Sequence, residues 1–184
     1  MTPRVFMAFG GSFLSLKPSL GMVGNAVKFS RAFFLDDFKP DVNHSPLSIG
    51  LYITYKCNID CPFCWNPHIN EKDFISQDMS VEEIEKILDH PRLKQAFRVS
   101  FVGGEPLAHK DIFNMIELCK KKKKLTMIPS NGLLIPKRID DFKKSSLISL
   151  QISLYDGHID EQLENIRLLQ KVNSNITLSI ARYV

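Results

Sequence analysis

Two hydrophobic periods alternate along this chain from Leu47 to its last residues, and few folds accept that order. Leu47, Ile49, Leu51, Ile53 and Tyr55 take every second position with Ser48, Gly50, Tyr52 and Thr54 between them, the period of a strand. Ser80-Val81-Glu82-Glu83 then reads as a capping box, in which the serine caps backbone amides and a glutamate reaches back. Val81, Ile84, Ile87 and Leu88 continue it as a helical apolar stripe. Residues 99–102 read as a short buried strand ending at Gly103-Gly104, and Ile112, Ile116 and Cys119 stripe the next helix. Residues 125–128 form a third strand closed by Ser130-Asn131-Gly132, followed by a weaker helix over 139–144. Ile148, Leu150, Ile152 and Leu154 alternate with Ser149, Gln151, Ser153 and Tyr155 in a fourth strand. Ile159, Leu163, Ile166 and Leu169 stripe a fourth helix, and Ile176, Leu178 and Ile180 alternate in a fifth strand.

Strands separated by helices lie parallel, because each helix carries the chain back across the sheet with right-handed sense. Parallel sheets are usually apolar on both faces. Strands one and four here carry one apolar face and one polar or small face. That predicts an α/β fold of about five parallel strands in a curved sheet, with helices outside and a polar lumen inside. No GxGxxG fingerprint, P-loop or further internal repeat is present.

At 184 residues the chain suits one domain with a sizeable core. Residues 1–46 are irregular in pattern and read as an N-terminal extension, with Ser45-Pro46 marking the boundary to a domain over 47–184. Within the extension, Leu20, Val23, Val27 and Phe34 share one face of a possible helix, with Lys28 and Arg31 nearby. Residues 20–35 would dock on the following domain or lie on a membrane surface. No apolar run approaches the roughly 20 residues of a transmembrane helix. The net charge of +4 permits an anionic partner without requiring one, and nucleic acid is not expected to be one.

Directly after the first strand stands Cys57-Asn58-Ile59-Asp60-Cys61-Pro62-Phe63-Cys64, a C-x3-C-x2-C run. Iron–sulfur clusters normally take four thiolates. Three so close together can hold three corners of a four-iron cluster and leave the fourth iron open to a small molecule. A Cys3His zinc site is the alternative, with His68 following at C-x3-H spacing, although zinc ligands usually come as two separated pairs. Four cysteines with three clustered do not resemble a disulfide framework, and a reduced cytoplasm suits them.

At these residues the chain resembles the radical SAM superfamily, and the resemblance covers roughly residues 47 to 184. It implies an open, partial (β/α)6-type barrel with parallel strands, of which about five are present. It implies that Cys57, Cys61 and Cys64 bind a [4Fe–4S] cluster whose free iron chelates S-adenosylmethionine. Reductive cleavage would give a 5′-deoxyadenosyl radical that abstracts a hydrogen from substrate. The aromatic residue before the third cysteine, Phe63, belongs to the same pattern. Gly103-Gly104-Glu105-Pro106, one β/α unit later, resembles the segment that holds the amino group of the methionine moiety. Taken alone, that tetrapeptide would be an ordinary turn whose glycines permit close backbone approach. Its exposed carboxylate would accept from an ammonium. The ends of strands three and four contribute polar contacts in the family, which points to Ser130, Asn131 and Ser153; otherwise Ser-Asn-Gly is a tight turn and Ser153 a solvated residue. Arg182 could meet the methionine carboxylate, but its parity places it with the apolar face. An external one-electron donor such as flavodoxin or ferredoxin is implied.

The resemblance also sets expectations of absence. A sixth strand with its helices would follow Val184, so the chain is expected to be truncated, and a non-catalytic remnant is an alternative reading. With only Cys119 left over, an auxiliary cluster has no thiols here, which disfavours peptide-maturing and sulfur-inserting relatives that need one, unless a lost C-terminus carried it. Cys119 itself lies on an apolar stripe and reads as a buried thiol. The five lysines from 120 to 124 read as a solvated helix terminus. His109 and His158 lie in predicted loops on the site side; either could touch a substrate that the sequence does not identify, although lone loop histidines usually have no such role.

Overall fold

The computed structural model describes residues 46–182 apart from 63, 67, 76 and 148. The expectations for the N-terminal extension and for Phe63 lie outside the described residues. Five parallel strands form one sheet: β1 (Ser48–Thr54), β2 (Arg98–Gly103), β3 (Leu125–Ser130), β4 (Ser149–Leu154) and β5 (Thr177–Arg182). Between them lie α1 (Lys72–Ile75), α2 (Val81–Asp89), α3 (Ile112–Lys121), α4 (Ile139–Lys144) and α5 (Ile159–Val172), with 3-10 turns at Pro106–Ala108 and Pro136–Arg138. The strand order is β1-β2-β3-β4-β5, without the reversal of a doubly wound sheet. Right-handed crossovers that always advance in one direction place every helix on the same face, which is the winding of a barrel.

The registers set two kinds of residue on opposite faces. Ile49 pairs Val99, and Leu51 pairs Phe101; these side chains are buried towards the helices. Gly50 pairs Ser100, Ser100 pairs Met127, and Met127 pairs Ser149, giving a row of small, polar or flexible residues across the other face. The core is Ile53, Val99, Phe101, Ile128, Leu150 and Ile152 from the sheet, met by Ile84, Leu88, Met115, Ile116, Phe142 and Leu169 from the helices. Each fully buried aliphatic or aromatic side chain contributes about 1.5–3 kcal/mol relative to exposure.

Several expectations need adjustment. β2 alternates buried and half-buried residues instead of being buried throughout, because its second face also looks into the lumen. β3 runs two residues further than its apolar run, to Ser130. α1 carried no sequence signal at four residues, too short for a period. The capping box of α2 is present: Ser80 Oγ accepts from Glu83 N–H at 3.2 Å, and the Glu83 carboxylate accepts from Ser80 N–H at 2.8 Å. The lysine run is not uniformly solvated. Lys122 pairs with Asp89 at 2.6 Å and Glu85 at 3.1 Å. Lys124 is buried and donates to the carbonyls of Lys94 and Ala96 at 2.6 and 2.7 Å, stitching the start of β3 to the chain before β2. Burial pulls its ammonium below the usual lysine range.

Candidate functional site

The carboxyl ends of β1 to β4 carry the residues that the sequence singled out. β1 leads through Tyr55 and Lys56 into the cysteine loop. Cys57 and Cys61 are half-buried, and Cys64 is exposed. A turn joins the last two, with Cys64 N–H donating to Cys61 C=O at 3.0 Å. Burial pushes the Cys57 thiol up; its peptide neighbours lower it, and the charge of Glu105 raises it further. Burial likewise raises Cys61, joined by the charge of Cys64, while a hydrogen bond from Tyr155 opposes the shift.

Three asparagines fasten this loop. Asn70 accepts from Cys57 N–H at 2.8 Å and donates to Cys57 C=O at 3.0 Å. Asn66 donates to the Tyr52 hydroxyl and accepts from His68 N–H at 2.9 Å. Asn58 accepts from the Asn131 side-chain amide at 2.9 Å, a bond between residues 73 apart in sequence. At the loop base, Asp78 accepts from Thr54 Oγ1 at 2.7 Å and from Lys56 Nζ at 2.5 Å.

Gly103 and Gly104 lie flat against the strand that feeds the cysteines. Gly104 N–H donates to Thr54 C=O and Glu105 N–H to Lys56 C=O, both at 2.8 Å. A Cβ on Gly103 would stand 2.5 Å from Thr54 O, and one on Gly104 2.4 Å from Lys56 O. Protein backbone therefore accounts for both glycines. With those amides engaged, carbonyl oxygen is what the segment can offer a ligand.

Glu105 departs from the expectation of an exposed carboxylate. It is 1 % exposed. Oε1 accepts from Leu107 N–H at 3.0 Å and the Ser130 hydroxyl at 2.8 Å; Oε2 accepts from Asn131 N–H at 2.8 Å. Burial pushes its carboxyl up, and these three donors offset that rise only in part. Of roughly four lone-pair positions on a carboxylate, one on Oε2 is left. Ser130 is also engaged on its acceptor side, by Gly132 N–H at 2.9 Å. Pro106 opens the 3-10 turn that follows Glu105 and is buried.

Beyond the predicted set, Gln162 on α5 is fully buried and donates to the carbonyls of Asn131 and Ser153 at 2.6 and 2.8 Å. It also accepts from Tyr155 N–H at 3.1 Å. Asn165 donates to Gly132 C=O at 3.1 Å, where Gly132 has a φ of +75°. Polar residues at 162 and 165 among apolar positions of a helix were the available signal. Arg138 reaches the carbonyls of Leu107 and His109 at 3.3 and 3.2 Å and fastens the far side of the Glu105 turn. Ser153 is buried on the lumen-side parity of β4.

The structure gives His109 an internal role. Its Nδ1 accepts from Asp111 N–H and its Nε2 faces Met79 C=O, each at 3.0 Å. That fixes a neutral ring with the proton on Nε2, and burial lowers its pKa. His158 precedes α5 and is exposed. His68 stacks on Phe74 with centroids 4.3 Å apart, and its Nδ1 lies 3.1 Å from Glu71. The backbone of Arg182 pairs with Leu154 at the end of β5. Cys119 is fully buried, as expected, and its thiol is pushed up to about 12.

The donor set suits an iron–sulfur cluster: three thiols on one tethered loop, at the end of the sheet where parallel β/α folds carry their sites. Among the described residues no three His, Cys, Asp or Glu side chains are gathered at metal-holding distance. The thiols must therefore turn towards one another to share a group. Being raised in pKa, Cys57 and Cys61 would release protons on binding it. No helix of the described residues is long and apolar enough to cross a membrane.

Comparison with known proteins agrees with this arrangement. The family model described as the radical SAM superfamily matches residues 51–179. A PqqA peptide cyclase of Bradyrhizobium diazoefficiens is 32 % identical over 109 residues, 59 % of this chain and 28 % of the relative. Crystal structures of Streptococcus suis SuiB share the fold. The form bound to precursor peptide SuiA gives a TM-score of 0.61 at 20 % identity, over 97 % of this chain and 40 % of that one. Another SuiB structure gives 0.58 at 25 % identity, over 73 % and 32 %. A SuiB structure bound to S-adenosylmethionine gives 0.57 at 20 % identity, over 97 % and 40 %. The chain thus spans well under half the length of each of these relatives.

Proposed function

Because this chain belongs to the radical SAM superfamily, whose cofactors are a [4Fe–4S] cluster and S-adenosylmethionine, we propose that residues 47–184 are the core domain of a radical SAM enzyme, with 1–46 as an extension. When bound, these cofactors supply reductive cleavage of the sulfonium and a 5′-deoxyadenosyl radical for hydrogen abstraction. Cys57, Cys61 and Cys64 would hold the cluster on the loop that Asn58, Asn66 and Asn70 tether. Gly103, Gly104, Glu105 and Pro106 would seat the methionine end, since carbonyls and one carboxylate lone pair suit an ammonium. Phe63, Ser130, Asn131 and Ser153 would complete the cofactor seat. Glu105 acts on both parts of the site, because it orients Asn131, which in turn grips the residue after Cys57.

The observation that carries this reading is the coincidence, at the carboxyl ends of β1 and β2, of the three cysteines with the Gly103-Gly104-Glu105 segment. The substrate is proposed to be a peptide, on the printed names of the PqqA cyclase and of SuiB with its precursor peptide, and this departs from the sequence expectation that disfavoured peptide-maturing relatives for want of further thiols. An external electron donor of the flavodoxin or ferredoxin class and a cytoplasmic location accompany the proposal.

The test is anaerobic reconstitution followed by S-adenosylmethionine and dithionite. The expected result is about four iron atoms per chain and release of 5′-deoxyadenosine, both lost in Cys57→Ala. An intact cluster that binds S-adenosylmethionine but releases no 5′-deoxyadenosine would leave the non-catalytic reading standing. Colourless protein carrying one zinc would overturn the cluster.

A further inference from the structure

The loop that carries all three cysteines is closed at its base by one residue. Asn70 Oδ1 accepts from Cys57 N–H at 2.8 Å, Nδ2 donates to Cys57 C=O at 3.0 Å, and Asn70 N–H donates to Tyr55 C=O at 3.1 Å. A side-chain amide carries an acceptor and a donor side by side, and so satisfies the N–H and the C=O of one residue together while staying uncharged. Asn70 also has a φ of 60°. That left-handed backbone is rare for residues with a side chain, and asparagine is among the few that tolerate it. Backbone and side chain of Asn70 therefore serve the same closure. The Cys57 side chain leaves a backbone held on both its N–H and C=O, directly after β1. Its Cα–Cβ direction is thereby fixed relative to the sheet, and Asn58 beside it is tied to Asn131.

We propose that Asn70 is a positioning residue for the cluster site: its amide presets the first cysteine, so that binding needs ordering chiefly of Cys61 and Cys64 further along the loop. The proposal rests on the cluster reading given above. A residue that merely closed a turn would affect folding; one that presets a ligand affects how tightly the group is held. Partners that orient metal ligands from behind typically change metal affinity about 10–100-fold when removed.

Asn70→Gly separates the two roles. Glycine takes a positive φ without steric cost and keeps the backbone bond to Tyr55, but deletes the amide. Asn70→Asp keeps an acceptor for Cys57 N–H and tolerates the φ, but sets an oxygen against the Cys57 carbonyl. The metal-free Asn70→Gly chain should keep its wild-type far-UV spectrum while the Cys57 amide hydrogen loses protection from exchange. Once reconstituted, it should release iron to a chelator about ten-fold faster than wild type, with a shifted electron paramagnetic resonance spectrum of the reduced cluster, and Asn70→Asp should fall between. Trp65 follows Cys64 directly, is 78 % exposed and is the only tryptophan of the sequence, so its quenching reports loading. Iron release at the wild-type rate in Asn70→Gly overturns the proposal. Should that variant fail to fold, Asn70→Asp carries the test, and wild-type release from it overturns the proposal equally. Wild-type protein that takes up no iron defeats the cluster reading instead, before any variant is compared.

Discussion

Replacing Glu105 by glutamine changes one carboxylate oxygen into an amide NH2 at the most connected point of the site. The carboxylate accepts three hydrogen bonds, and Glu105 is almost wholly buried. Glutamine can keep its carbonyl oxygen where Oε1 stands, retaining Leu107 N–H and the Ser130 hydroxyl. Its NH2 group then points at Asn131 N–H, donor against donor. The loss is one charge-assisted bond, about 1.5–3 kcal/mol, with a stranded backbone N–H included in that cost. Removing a buried charge returns part of the desolvation that pushes this carboxyl up. The net expectation is a loss of about 1–3 kcal/mol. At about 2–4 °C per kcal/mol for a chain of this size, the melting midpoint falls by about 2–12 °C. Glu105→Ala leaves both backbone donors stranded, at about 1–3 kcal/mol each, and should be the worse of the two. Urea unfolding of the metal-free protein, followed by circular dichroism, measures both. A Glu105→Gln midpoint within error of wild type, or equal to that of Glu105→Ala, would refute the reasoning that a three-donor carboxylate joins β2 to β3.

Three further outcomes are expected. Gly104→Ala should destabilise the fold by about 1–3 kcal/mol through overpacking, because its Cβ meets Lys56 backbone at 2.4 Å, whereas Gly50→Ala, with nothing within 4 Å, should be neutral or stabilising by about 0.5–1 kcal/mol; denaturant midpoints compare the two. His109 has a folded pKa below its unfolded value of 6.5, so the folded state binds fewer protons there. Its contribution is complete above pH 6.5 and is lost as pH falls from there through the folded pKa; in His109→Gln the stability of the metal-free protein should lose that segment of its pH slope. A thiol reagent applied to metal-free native protein at pH 8 should count three of the four cysteines, with the buried Cys119 appearing only on unfolding.

Much of the scaffold was legible because it is periodic. The alternation around Leu51 and Ile152 and the stripe of Ile84 and Leu88 repeat within a few residues, the Ser80 cap is a local motif, and β1, β4 and α2 lie where those patterns fall. Lys124 misled because a lysine run looks solvated; its neighbours are charge-paired or exposed, while its own ammonium finds two carbonyls that lie on another part of the chain. The site was legible as residue types and not as connections. Nothing local to Asn58 announces Asn131, and nothing local to Glu105 announces Ser130. Such bonds join chain ends across the sheet, at separations where no period operates. Gln162 shows the intermediate case: its place on a buried helix face was readable, its bonds to Asn131 and Ser153 were not.

The strictly sequential order of strands has a consequence for biosynthesis. The ribosome delivers the cysteine loop well before the asparagine that ties it to the end of β3, since Asn58 and Asn131 are 73 residues apart. At about 5–20 residues per second, that interval lasts about 4–15 s, during which the nascent thiols hang from a strand whose neighbours are still being made. Iron delivery during translation would therefore meet a loop held by Asn66 and Asn70 but not yet tied to Asn131, and delivery after release one tied to all three.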